Sequence, residues 1–118
     1  MVLVDTSIWV DHFRRGHAGL IEQLEEGAVL CHPFVIGELA CGNLHNRIEV
    51  LDLLQALPMA PVADQDEVLH LLQEWRLFGQ SLGWVDAHLL ASARLMGYPI
   101  WTLDKSLAKA AGEINQAF

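Results

Sequence analysis

Short, wholly apolar runs alternate along this chain with stretches whose apolar residues recur every three or four positions. VLV at 2–4, AVLC at 28–31 and PIWTL at 99–103 are too short for helices and show no polar alternation. Such runs read as strands buried on both faces. The segment from Thr6 to about Phe13 follows the first strand as a helix, and Leu20, Ile21 and Leu24 stripe a second. Pro33 suits the first turn of a helix running to about Leu44, and Ile48, Leu51 and Leu54 continue a helical pattern to Leu57. PMAPV at 58–62, punctuated by proline, suits only a short edge strand. Asp64 is placed as an N-cap, and Val68, Leu71, Leu72, Trp75 and Phe78 form one long helical stripe after it. GQSLG at 79–83 reads as a loop. Val85, Leu89, Ala93 and Met96 mark a further helix, ended by Gly97, and Ser106 to about Ala111 a last short one. Fully apolar strands alternating with helices predict an α/β fold: an α/β/α sandwich with a short, mainly parallel sheet and helices on both faces.

Composition narrows the picture. A length of 118 residues predicts one domain over 1–118, and 53% hydrophobic residues argue against disorder. No apolar run reaches the roughly 18 residues needed to span a bilayer, and no signal-peptide pattern is visible, so a cytoplasmic, membrane-free protein is expected. Cys31 and Cys41 are read as two small buried thiols in a reducing compartment. With neither CxxC nor His-x-x-x-His, zinc has little support. Fifteen acidic side chains against seven basic ones give a net charge of −8. That balance argues against a protein that holds nucleic acid simply by neutralising phosphates. The excess is either a solvated acidic surface or a set of carboxylates gathered around a cation.

Helical spacing separates those two cases. Glu22, Glu25 and Glu26 lie off the Leu20/Ile21/Leu24 stripe, and Glu49 and Asp52 share a polar side. Glu67 and Glu74 sit opposite Val68 and Leu72, while Asp64 and Asp66 belong to a first helical turn, where the dipole favours anions. Four carboxylates resist this sorting. Asp5 ends the VLV strand and Asp104 follows IWTL. Glu38 has Phe34, Val35, Cys41 and Gly42 three and four positions away, an apolar side. Asp86 has Gly83, Leu89 and Leu90 at those offsets. A carboxylate removed from water needs a cation or hydrogen bonds, and basic partners are scarce. Strand ends in an open α/β sheet form the crevice where ligands bind, so all four can converge there. Oxygen-only ligands in that number suit Mg²⁺ or Mn²⁺. Thr6, Ser7 and Thr102 lie beside the strand-end aspartates and are candidates to orient them. Taken singly, Asp5 and Asp86 are equally readable as helix caps.

DTSIW at the start, GEL in the first third, GWVDAHLLASA, and IWTLDKSL near the end resemble, in order and spacing, the PIN-domain ribonucleases. The likeness is nearest to the VapC-like toxins of bacterial type II toxin–antitoxin pairs and covers essentially the whole chain. It implies that Asp5, Glu38, Asp86 and Asp104 bind Mg²⁺ or Mn²⁺, and that the reaction is metal-assisted hydrolysis of RNA phosphodiesters. It further implies a cognate antitoxin, a homodimer, and a supporting hydroxyl at Thr102. The GQSLG loop departs from the pattern, lacking a basic residue expected there. Arg14, Arg15, Arg76, Lys105 and Lys109 are candidate cations for RNA, though each reads first as an ordinary surface charge. The six histidines are read as non-catalytic, and Trp9, Trp84 and Trp101 as core.

Two other functions compete with this expectation. One is a catalytically silent PIN-like protein-interaction module, disfavoured because all four acidic positions are occupied. The other is a phosphohydrolase forming an aspartyl-phosphate on Asp5, disfavoured because Ser7 stands where that chemistry wants a second aspartate.

Overall fold

The three apolar runs pair as strands β1 (Val2–Val4), β2 (Val29–Leu30) and β3 (Ile100–Trp101) in the computed structural model, which describes residues 1–118. They form a parallel sheet in the order β2–β1–β3, with Leu3 opposite both Leu30 and Ile100. The central strand is buried along its whole length, which is why it shows no polar alternation. Single parallel bridges extend the sheet on each side, Cys31 to Met59 and Ile100 to Ala117. The edge strand expected at 58–62 is thus reduced to one bridge, in which Cys31 N–H donates to Pro58 O and Ala60 N–H to Cys31 O. Pro58 and Pro61 have no N–H to continue the ladder.

Seven helices surround the sheet: α1 (Thr6–Arg15), α2 (Ala18–Glu25), α3 (Pro33–Cys41), α4 (Arg47–Gln55), α5 (Gln65–Glu74), α6 (Trp84–Met96) and α7 (Lys105–Glu113). α1 packs on α3 and α3 on α4, while α5 packs on α6 and α6 on α7. This is the α/β/α sandwich that the alternation of strand and helix signals predicts. Leu3, Ile8, Leu30, Leu89, Leu90 and Leu107 belong to one continuous core.

Helix boundaries shift two expected details. α3 stops at Cys41, short of Leu44, and α4 starts only after Asn46, which has a left-handed backbone (φ 53°). α5 stops at Glu74, and Arg76 also takes a positive φ, 51°. The break rotates the following residues, so Leu77 is fully buried while Phe78, expected on the core stripe, is 62% exposed. For the site, the decisive contact is between the ends of β1 and β3. Asp5 N–H donates to Trp101 O at 2.9 Å, so the residues that leave both strands emerge side by side.

Candidate metal centre

Asp5 is the N-cap of α1 and is only 6% exposed. Its Oδ2 accepts from Ser7 Oγ and Thr102 Oγ1, each at 2.7 Å, and from Ser7 N–H at 3.4 Å. Those donors offset the cost of removing a carboxylate from water. Both hydroxyls are themselves held by backbone: Leu103 N–H donates to Ser7 Oγ at 2.9 Å, and Asp104 N–H to Thr102 Oγ1 at 3.0 Å. Ser7 and Thr102 therefore orient Asp5 and tie the β1 end to the β3 end.

Thr6 behaves differently from that expectation. Its hydroxyl donates to Glu38 Oε1 at 2.7 Å and not to an aspartate. Glu38 is also exposed, although its helical neighbours are apolar in type. Val35 on that side is buried, but Cys41 and Gly42 face solvent, so apolar composition did not mean burial. Asp104 is exposed too, capping α7 by accepting Leu107 N–H at 2.9 Å. The desolvation argument made from sequence thus applies to Asp5 and Asp86 but not to Glu38 or Asp104.

Asp86, in the first turn of α6, is half-buried and accepts Gly83 N–H on Oδ2 at 3.0 Å. Burial pushes its carboxyl above the ordinary value. The Gly83 bond draws it down, and the charges of Asp5 and Asp104 push it up again. Three aspartates therefore share one electrostatic field, and Glu38 joins them through Thr6, the residue next to Asp5. The role of Gly83 was not anticipated, although an N-cap residue followed three places later by a carboxylate is the spacing that announces such a bond.

The four carboxylates have a common pattern. Each commits one oxygen to the bonds just described and leaves the other without a protein donor. No three of the chain's Asp, Glu, His or Cys side chains stand close enough to hold an ion jointly. A hard oxygen-seeking cation fits this donor set all the same, because Mg²⁺ keeps several waters and takes only one or two protein carboxylates directly.

Other residues singled out from the sequence divide between core and surface. Cys41 is exposed rather than buried, whereas Cys31 is buried, and both thiols are free. His32 is fully buried. Its Nδ1 accepts Phe34 N–H at 2.9 Å, and its Nε2 lies 3.0 Å from Ser92 Oγ, which donates to Pro61 O. With the serine hydrogen committed, Nε2 must carry the ring proton. His32 thus fastens β2, α3 and α6 together, and burial, followed by the charge of His88, pushes it down to about 4. Trp9 is buried as expected and Trp101 partly so, but Trp84 is 45% exposed, because it stands in the first turn of α6 where that helix leaves the core.

Comparison with known proteins adds kinship to the geometry. The family model described as PIN domain matches residues 2–113. Ribonuclease VapC32 of Mycobacterium tuberculosis is 49% identical over 118 residues, spanning 99% of this chain and 95% of the relative, and it matches equally in two strains. Among solved structures, PAE2754 from Pyrobaculum aerophilum superposes with a TM-score of 0.69 at 17% identity, over 99% of this chain and 87% of that one. At that identity the likeness speaks for the fold alone.

Proposed function

The chain belongs to the PIN-domain family, and from that premise we propose that it is a Mg²⁺- or Mn²⁺-dependent endoribonuclease toxin, one nuclease domain over 1–118, neutralised by a cognate antitoxin. The observation that carries the reading is the Asp5 carboxylate, buried and triply hydrogen-bonded, with Asp86 close enough to feel its charge and that of Asp104. Asp5 and Asp86 are the residues best placed to hold the cation, with Asp104 and Glu38 at its margin. When bound, such an ion lowers the pKa of a coordinated water and neutralises charge building on phosphate oxygens. The protein's own contribution is orientation. Ser7 and Thr102 aim Asp5, Gly83 N–H aims Asp86, and Thr6 aims Glu38, so no carboxylate has to reorganise when substrate arrives.

The resemblance to VapC-like toxins supports the antitoxin and the homodimer. The identity to a protein named as a ribonuclease supports RNA as the substrate. The absence of any helix long and apolar enough to cross a membrane is compatible with a cytoplasmic site of action.

Total RNA incubated with the protein and Mn²⁺ is expected to be cut, with cleavage stopped by EDTA and lost in Asp5→Asn and Asp86→Asn. Full activity in both variants would overturn the site assignment. A folded, metal-treated protein that leaves RNA whole would favour the silent interaction module, and phosphate release from a small ester without RNA cutting would favour the aspartyl-phosphate alternative.

A further inference from the structure

The chain's net charge of −8 poses a problem for any enzyme that must hold RNA, and three of its seven cations, Arg15, Arg47 and Arg94, are already hydrogen-bonded within the fold. Arg15 is bound to Asp11 at 2.7 Å. Arg94 donates to Ile114 O and covers the Trp75 ring. Arg14, on the other hand, is exposed, has no hydrogen-bond or ion-pair partner, and opens onto a cavity of about 520 Å³. That cavity is also lined by Thr6 and Glu38, which belong to the candidate metal centre.

The geometry follows from helix periodicity. Thr6, Val10 and Arg14 recur every four residues and so form one stripe along α1. All three line the cavity, with Glu38 of α3 opposite and with Asn43 and His45 from the α3–α4 link. One wall therefore runs from the acidic centre to a cation about 12 Å further along the helix axis. That axial separation suits a phosphate further along the same strand.

We propose that Arg14, supported by Asn43 and His45, holds a backbone phosphate of the RNA flanking the scissile bond, so that the α1–α3 cleft sets the path of the strand. This rests on the ribonuclease reading above. A guanidinium grips a phosphate through two parallel N–H bonds, which an ammonium does only as a point charge. RNA fits the cleft because one strand brings a phosphate to the guanidinium at one end and another to the cation that the acidic end would hold.

Cleavage of a fluorophore-labelled, mixed-sequence single-stranded RNA in Mg²⁺ tests this with Arg14→Gln, Arg14→Lys and Arg15→Gln. Arg14→Gln is expected to raise KM about fivefold with kcat nearly unchanged. The slope of log(kcat/KM) against log salt becomes shallower by about 0.7, the loss of one neutralised phosphate on a single strand. Arg14→Lys recovers most of the salt slope, and Arg15→Gln matches wild type. An unchanged KM and salt slope in Arg14→Gln would overturn the proposal while leaving the ribonuclease reading intact, and would be the result if a peptide, not RNA, used the cleft. A wild-type protein that does not cut the RNA at all would remove the reading and this proposal together.

Discussion

Thr102 Oγ1 donates to Asp5 Oδ2 at 2.7 Å, joining residues 97 positions apart in the chain. The bond closes the seam between the two strand ends on which the acidic centre is built. Thr102→Val removes the donor but keeps the shape, so it should cost about 1.5–3 kcal/mol, the range for a hydrogen bond to a charged group. Urea unfolding measures the loss. Thr102→Ser, which retains the hydroxyl, should stay close to wild type in both stability and RNA cleavage.

Asp86 is expected to be a residue whose replacement stabilises the metal-free chain. Its pKa is raised on folding, first by burial and then by Asp5 and Asp104 against the opposing Gly83 bond. The folded state thus binds that proton more tightly than the unfolded one. The ionised carboxylate costs stability above the raised value, and the cost fades as pH falls through it. Thermal melts in EDTA at pH 7 should give Asp86→Asn a higher Tm than wild type. A lower Tm would contradict the charge coupling.

The same charges should make the fold responsive to divalent cations. Mn²⁺ or Mg²⁺ is expected to raise Tm reversibly, by about 2.7 kcal/mol of added stability when the ion is at a hundred times its Kd. In Asp5→Asn the rise should be largely absent. Equal shifts in both proteins would place the ion elsewhere.

His32 should make the protein sensitive to mild acid. The ordinary value is 6.5, and in the folded chain burial and then the charge of His88 push it down to about 4. Between those values the unfolded chain takes up a proton that the folded chain refuses, so stability falls as pH drops from 6.5 towards 4. His32→Gln cannot take up that proton. Its urea midpoint, lower at pH 7 because a buried cap is weakened, should change less between pH 7 and pH 5 than that of wild type.

The two thiols should differ sharply in reactivity. Burial pushes Cys31 up to about 11, only partly opposed by a backbone hydrogen bond of His32. Cys41 is exposed at the end of α3. An alkylating reagent at pH 8 should modify Cys41 in the folded chain and reach Cys31 only in urea, as mass spectrometry of the intact protein will show.

Much of this protein is legible without its coordinates, because the relevant signals are local. VLV, AVLC and PIWTL announce buried parallel strands by lacking polar alternation, and the three- and four-residue recurrences announce the helices between them. The same periodicity set Asp5, Glu38, Asp86 and Asp104 apart from carboxylates that merely face water. What it could not report was exposure. Glu38 and Asp104 turned out to be open to solvent because residue type does not fix what covers a side chain, Phe78 left the core because the break at Arg76 rotates the residues after it, and Trp84 because it stands in the first turn of α6. Nor could spacing show that Thr6 serves Glu38 while Ser7 and Thr102 serve Asp5, or that Arg14 shares a cleft with Glu38. Those relations join residues tens of positions apart. They exist only once parallel pairing has set the ends of β1 and β3 side by side and packed α1 against α3.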